Sequence, residues 1–582
     1  MDLSQPADLN TPIAAKAGET RRVSRKRGVN GSGLSRKQLY KALRRGQDHA
    51  ERQEWAEAVK HMLVAWNAMP ENIDILTVLA HSLVQLGVRD KAIAVLERAL
   101  SIHKPTKALI EIIQGLALAM QMYEIAVKLS EQLIAMDPGD PAYYVNLATA
   151  YSGVERLDES IEMLQAVIPH FPESAELWNV LAAQVRQRDG SEASYIFYEE
   201  ALKLAPDSAI ILGNYSHARL LAMDFEKSLE LGLRAIELDP DSIEPRISAG
   251  QLYFLQGRMK EAWAQYEFRS DIRRTSAQTQ HYSHGIPNWQ GEDLEGKTIL
   301  IAAEQGIGDE VMWGNYLPFL ADKAEKICIG CDPRLVSIYR RRFPDAVVCG
   351  YLDRIISGYR YRVFPEIESK ISSGEISPDY ACMVGSAPSF DWTSTEAIVP
   401  HSDGFLSADP DRLSDIRGRL AKISEKPKIG LAWRSGLMKA ERKTMYASVE
   451  ALASLLALSE HVDFVNIQYG DVADELQAAK ELHGVTIHNF DDIDLKQDIE
   501  ANLAIMEACD IVVSSCSAPG MFSLSLGRPT LLMAQGVPWW SFGAGDRAPF
   551  AKDAEFFAGG IEAEWSSTVD RIAKRVKERL SL

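Results

Sequence analysis

Cysteine is scarce in this chain, six in 582 residues, too few for a disulfide framework in so long a protein. Cys328 and Cys331 form a C-x-x-C inside "KICIGCD", which reads as a strand and its exit, and no second pair completes a zinc site. Long apolar runs are missing too: nothing approaches the roughly 20 residues that a membrane span needs. "MDLSQPADLN" has neither a basic n-region nor an apolar h-region, so no secretory leader is expected. Basic charge is also lacking. A net charge of -18 argues against a nucleic-acid partner. The exception is "RRVSRKRG" at 21–28, in a polar tail over 1–35 that reads as disordered and solvated, with an electrostatic docking arm as the alternative. A reducing cytoplasm fits all of this.

Length alone argues for several domains, since single cores rarely exceed roughly 250–300 residues. In the first half, Pro70, Pro138, Pro172, Pro206 and Pro240 share one 34-residue register. Ala58, Ala92, Ala126, Ser160, Ser194, Ser228 and Ala262 recur at one position of that register, and Ala65, Ala99, Ala201 and Ala235 at another. Small residues suit the contact between two helices of a hairpin, and proline ends the second helix because it has no N–H to donate. The pattern resembles the tetratricopeptide repeat and predicts about seven repeats over 36–275, an α-helical superhelix with a concave face for protein segments. A spacer or dimerisation scaffold is the plainer alternative.

From about residue 285 the rhythm changes. "GKTILIAA" (296–303), "ICIGC", "AVVCG" and "YACMVG" read as strands separated by helical stretches. After a polar linker near 403–427, "IGLAW", "DFVNIQ", "VTIH", "DIVVSS" and "PTLLMA" repeat the pattern, and "STVDRIAKRVKERL" closes it as a helix. Two α/β domains of Rossmann-like type, 285–405 and 425–582, are expected. The stretch "AAEQGIGDEVMW" is the first strand-to-helix turn of the first block. Its Gly306 and Gly308 are followed by Val311 where a dinucleotide fingerprint has glycine, which argues against a dinucleotide turn. What remains is a glycine turn open to a ligand and a carboxylate, Asp309, at a helix start. Residue chemistry leaves helix capping and base catalysis both open for it.

The segment "PNWQGEDLEGKTILIAAEQGIGDEVMWGNYLPFL", with "IGLAWRSG", "FVNIQYGD" and "CDIVVSSCSAPGMFSLSLGRPTLLM" in the same order, resembles bacterial tetratricopeptide-repeat glycosyltransferases. Their C-terminal half is a GT-B module akin to the ADP-heptose lipopolysaccharide transferases. The resemblance covers roughly residues 36–545 and looks closest to flagellin-modifying members, in which the repeats recruit flagellin. It implies a metal-independent protein O-glycosyltransferase. Its donor would be a nucleotide sugar, such as a CMP-linked nonulosonic acid of the pseudaminic type, and its acceptors Ser/Thr hydroxyls of flagellin. No further cofactor is implied.

Carried over by position, Asp309 becomes the general base, with Glu304 and Gln305 as sugar or acceptor contacts beside Gly306 and Gly308. Donor-side candidates are Arg434, Ser435, Gln468, Ser515, Ser517, Ala518 and Gly520, with Lys443 or its neighbours Lys439 and Arg442 supplying positive charge; for Arg434 the plainer alternative is a surface arginine paired with an acid. Tyr469 stands beside Gln468 either as a base contact or as packing. The family's last motif reads D-T-A-x-x-H, whereas this chain has Cys516, Ser517, Ala518 and Met521, which puts an ADP-heptose-like donor geometry in doubt. "DDID" at 491–494 reads as an acidic capping turn rather than a metal site. Two other readings stay open: a repeat adaptor with an inactive GT-B half, and a transferase acting on lipopolysaccharide or polysaccharide.

Overall fold

The computed structural model describes residues 36–86, 88–271, 274, 280–282, 284–356, 359–401, 403–436, 446–559 and 565–582. The chain divides between Leu116 and Ala117 into two compact units. The first holds helices Arg36–Glu51, Trp55–Ala68, Ile73–Gln85 and Arg89–Ile102 and most of Lys107–Ala119. Helices Tyr123–Met136, Pro141–Gly153, Leu157–Val167, Ala175–Asp189, Tyr195–Leu204, Ala209–Leu221, Phe225–Leu238, Ile243–Leu255 and Met259–Tyr266 open the second unit. Taken in order these are seven successive helix pairs among the described residues.

The register seen in the sequence has a physical basis. Ala58, Ala92, Ala126, Ser160, Ser194, Ser228 and Ala262 are all fully buried, since any larger side chain there would separate two helices. Gln53, Gln121, Glu155, Met223 and Gly257 lie in left-handed backbone, with φ of 60, 59, 61, 57 and 71°, at the turn inside their hairpins. Side chains of Asn72, Asp140, Ser174, Ser208 and Asp224 accept from the first turn of the helix each precedes.

Thirteen strands follow among the described residues. The first seven are β1 (Gln280–Tyr282), β2 (Thr298–Ala302), β3 (Lys326–Cys331), β4 (Val347–Gly350), β5 (Leu352–Ile356), β6 (Tyr359–Val363) and β7 (Tyr380–Met383). β2, β3, β4 and β7 make a parallel sheet in the order β4-β3-β2-β7, while β1, β6 and β5 form a separate small sheet. The other six are β8 (Lys428–Ala432), β9 (Asp463–Asn466), β10 (Ile487–His488), β11 (Ile511–Ser515), β12 (Thr530–Gln535) and β13 (Ala554–Gly559). They form one parallel sheet in the order β10-β9-β8-β11-β12-β13. That is the doubly wound order, in which the chain reverses direction across the sheet between its first and fourth strands. Three strands absent from the sequence reading, β1, β5 and β6, belong to the small sheet. A fourth, β13, is an edge strand of the large one.

The last repeat is packed into the α/β region rather than tethered to it. Phe254, Trp263 and Tyr266 from the final hairpin meet Trp313, Trp392, Trp539 and Phe542. Ring centroids are 4.7 Å apart for Phe254–Trp263, 5.4 Å for Trp263–Trp313 and 5.8 Å for Trp313–Phe542. Trp263 Nε1 donates to the Trp392 carbonyl at 3.0 Å, so the indole's polar edge is satisfied inside the cluster. No described helix is long and apolar enough to cross a membrane.

Gly250 marks how tightly this hairpin closes. A Cβ there would lie 2.8 Å from the Tyr266 backbone nitrogen and 3.1 Å from the Ala262 carbonyl oxygen, neither of which can swing aside. Gly115, inside Lys107–Ala119, has nothing within 4 Å of its would-be Cβ. Gly250→Ala is expected to lower the urea unfolding midpoint, by the about 1–3 kcal/mol typical of overpacking. Gly115→Ala should leave it unchanged or raise it, by up to about 1 kcal/mol of helix propensity. Equal midpoints for the two variants would contradict this packing.

Candidate functional site

In open parallel sheets the crevice for ligands lies beyond the carboxyl ends of the strands, where the strand order reverses. In the first sheet that place is the turn leaving β2. Arg362, buried and stacked 3.8 Å over the Tyr351 ring, donates to the carbonyls of Glu304 and, at 3.3 Å, Gln305. The Tyr282 hydroxyl donates to the Ala303 carbonyl at 2.5 Å. Three successive carbonyls are thus pinned, which fixes where the next helix, Ile307–Gly314, begins.

Glu304 turns inward. Its Oε1 accepts from Arg269 Nη2 at 2.7 Å and from the Gly385 N–H at 3.1 Å, and the side chain is buried. Arg269, equally buried, also donates to Glu267 at 3.0 Å and to Ser386 Oγ at 2.9 Å. Glu304 is therefore half of a buried ion pair, not a free contact for a sugar. The Gln305 backbone is held by Arg362 in the same turn.

The two glycines are small for a different reason from ligand approach. A Cβ on Gly306 would sit 3.1 Å from Asp309 Oδ2, and one on Gly308 would sit 3.4 Å from Ala518 Cα. Gly306 leaves room for the Asp309 carboxylate, and Gly308 for a second helix, Ala518–Ser525. Asn315 Nδ2 donates to Ser525 Oγ at 3.1 Å near the far ends of the two helices, so they run side by side in the same direction.

Among the described residues no donor is hydrogen-bonded to the Asp309 carboxylate, so it does not cap its helix through a side-chain bond. Its pKa is pushed up to about 6, first by the protein crowded around it and then by the Glu304 charge, while Arg269 draws it down. The residue is still exposed, so water reaches the carboxyl from one side. The upward direction rests on the crowding from the other sides and on Glu304. On the same helix, buried Glu310 accepts from the Asp332 N–H at 3.0 Å and is pushed up to about 8 by burial. It is largely neutral at pH 7.

The second sheet reverses order between β8 and β11. After β11, Ser515 Oγ and Ser517 Oγ lie 2.9 Å apart, and the Ser517 N–H donates to the Ser515 carbonyl at 2.8 Å. Ala518 then starts the helix that faces Gly308. Gly520 is confined by its own sheet, since a Cβ there would meet Leu532 Cδ2 at 2.7 Å and the Ser515 carbonyl at 3.0 Å. After β8, Arg434 and Ser435 leave the strand end. Arg434 Nε and Nη2 donate to Glu475 at 2.6 and 2.5 Å, and Nη2 also reaches the Asp471 carbonyl at 2.7 Å. Its guanidinium is thus paired with an acid.

Gln468 is buried, and its Oε1 accepts from the Trp433 and Arg434 N–H groups at 3.1 and 2.9 Å. It bolts the ends of β8 and β9 together instead of facing a ribose. Tyr469 accepts the Gly436 N–H at 3.0 Å. Lys439, Arg442 and Lys443 lie outside the described residues.

A pocket of ≈ 640 Å³ opens beyond β9 and β10, lined among others by Asn466, Gly470, Asn489, Asp491 and Lys496. The acidic turn 491–494 forms part of it. There Asp492 pairs with Arg419 at 2.6 Å, and Asp494 Oδ1 accepts from the Lys496 N–H at 2.9 Å.

Sequence reasoning placed Gly306, Gly308 and Asp309 on one turn and Ser515, Ser517 and Ala518 on another; the structure sets Gly308 against Ala518 and adds Arg269 and Arg362, which the sequence reading missed. Arg269 sits 35 residues before its partner Glu304, inside what reads as the end of the repeats. No spacing could have announced that contact.

Two stretches, residues 117–183 and 73–104, match families described as tetratricopeptide repeat. Protein FlbA of Caulobacter vibrioides is 30% identical over 470 residues, 80% of this chain and 77% of that protein. Among solved structures, a tetratricopeptide repeat protein from Parabacteroides merdae is 13% identical, with a TM-score of 0.35, over 40% of this chain and 91% of its own. A thermophilic TPR protein from Thermus thermophilus is 19% identical, with a TM-score of 0.29, over 32% and 100%.

Because Glu304 raises the Asp309 pKa, Glu304→Gln should lower it, leaving Arg269 its bond to Glu267. Followed by carboxyl-carbon NMR across pH 4–8, Asp309 should titrate near 6 in the parent chain and at lower pH in the variant. An unshifted midpoint would remove Glu304 from the electrostatics of the site.

Proposed function

The chain belongs to the family of FlbA, and from that premise we propose that it is a protein O-glycosyltransferase of GT-B architecture acting on flagellin. One observation carries this reading. Two parallel sheets each reverse their strand order, and the helix start after β2 that carries Asp309 lies against the helix start after β11, with Gly308 facing Ala518. The motif resemblance over roughly residues 36–545 supplies the reaction class.

In this reading a Ser or Thr Oγ of the acceptor attacks the anomeric carbon of the donor sugar and forms the new C–O bond. The bond from that carbon to the nucleotide phosphate breaks, its electron pair leaving with the phosphate. Asp309 takes the hydroxyl proton. A pKa near 6 suits that task, because the carboxyl is mostly ionised at neutral pH yet more basic than an ordinary aspartate. The leaving phosphate meets the N-terminus of Ala518–Ser525, whose dipole favours negative charge although Pro519 brings no N–H to the first turn. Lys443 or its neighbours Lys439 and Arg442 supply cationic charge, since Arg434 is already held by Glu475. A CMP-linked nonulosonic acid, with its monophosphate leaving group, would need less help from a metal than a diphosphate donor. The repeats hold the acceptor.

A second reading has its own observation. Arg434 and Gln468, both expected at the donor, are spent on internal bonds. An adaptor that keeps the fold without turnover would look like this.

The intact mass of flagellin from the native host separates the two. Under the enzyme reading, deleting the gene or introducing Asp309→Asn removes a sugar-sized mass, and Asp309→Asn lowers turnover in vitro by about 10²–10⁴-fold. Loss on deletion alone would favour the adaptor. Unchanged flagellin in both would end the flagellin proposal.

A further inference from the structure

The first hairpin brings together side chains that the glycosyl-transfer reading leaves unused. His49 lies in the last turn of Arg36–Glu51, and Glu57 and His61 lie one turn apart on Trp55–Ala68. The two imidazoles stack with centroids 5.3 Å apart and planes 8° from parallel. One ligand atom from each of His49, Glu57 and His61 falls within 4.8 Å of the others, and His61 Nε2 is 4.0 Å from Glu57 Oε2. Glu54, at the start of the second helix, reaches the His49 ring through Nδ1 and sets a second carboxylate at the edge of the group.

We propose that His49, Glu57 and His61, with Glu54 beside them, bind a divalent transition-metal ion of the zinc class. Two features favour this over a chance surface cluster, beside the convergence of the three ligand atoms. Mixed imidazole and carboxylate donors are the set that zinc accepts, with four ligands around the ion. The carboxylates are half-exposed, so their rotamers can close the remaining distance and the ion has a way in.

Lys60 competes for Glu57, with Nζ 3.0 Å from Oε2. That exposed ion pair is weak, and a dication at the same oxygen outweighs it. Bound metal would clamp the two helices of the terminal hairpin, whose outer face meets no further repeat among the described residues and so depends most on local bracing.

The test uses the full chain, produced without a polyhistidine tag and stripped with chelator. Zinc chloride is titrated by calorimetry, and thermal unfolding is followed with and without zinc. The parent chain should take up one zinc at micromolar or tighter affinity and unfold at a higher temperature with zinc present. His49→Ala/His61→Ala should lose that uptake at least tenfold, and Glu57→Gln, which keeps the hairpin's shape, should weaken it. Equal uptake by parent and double variant, or no uptake by the parent, would overturn the site. Variants that unfold earlier with or without zinc, beside a parent that zinc does not stabilise, would reduce the cluster to an ordinary His–Glu contact.

Discussion

Everything downstream in the second unit depends on one buried indole, Trp313. It lies four residues after Asp309 on Ile307–Gly314, one helical turn away on the same face. Its ring meets Trp263 and Tyr266 from the last repeat at 5.4 and 6.0 Å, and Trp539 and Phe542 from the second sheet's loops at 6.0 and 5.8 Å. Large aromatic side chains bury more area than any others and hold preferred mutual angles, so such a cluster fixes orientation as well as distance. The helix bearing the candidate base is thereby positioned by two parts of the chain that are far apart in sequence.

Charge follows the same path. Arg269 leaves the end of the repeats, crosses into the first sheet's turn and satisfies Glu304. A buried carboxylate without that partner would cost several kcal/mol of desolvation. The pair then acts on Asp309 with opposite signs. Glu304 pushes its proton affinity up, and Arg269 limits the rise. The last repeat is thus both packing and electrostatics for the candidate site. The repeat region and the α/β region are one structure at their junction, although the sequence reads as a repeat region ending near 275 and a new domain beginning near 285.

Some elements were legible because local chemistry determines them. The 34-residue register of small residues and prolines marks helix contacts and helix ends, and those positions are fully buried or terminal in the structure. β2, β3, β8, β11 and β12 were legible as unbroken apolar runs because both faces of a parallel sheet are covered. β5 and β6 were not, since "LDRII" and "YRYRV" carry arginines whose partners come from elsewhere: Arg362 lies over Tyr351 and holds the glycine turn. β13 was missed because only two of its six residues are buried, as befits an edge strand.

At the site, the sequence by itself determined which residue types stand at the strand ends, because a glycine turn and a following acid are local features. It could not determine what each of them touches. Gly308 is small because Ala518, 210 residues later, passes 3.4 Å from where its Cβ would be. Gln468 and Arg434 look like ligand contacts in one dimension, yet in three they satisfy the N–H groups of Trp433 and Arg434 and the carboxylate of Glu475. Periodicity and turn chemistry act over a few residues and can be read along the chain. Partnering of buried polar groups is decided by which distant segments the packed aromatic core brings within about 3 Å, and only the tertiary structure carries that information.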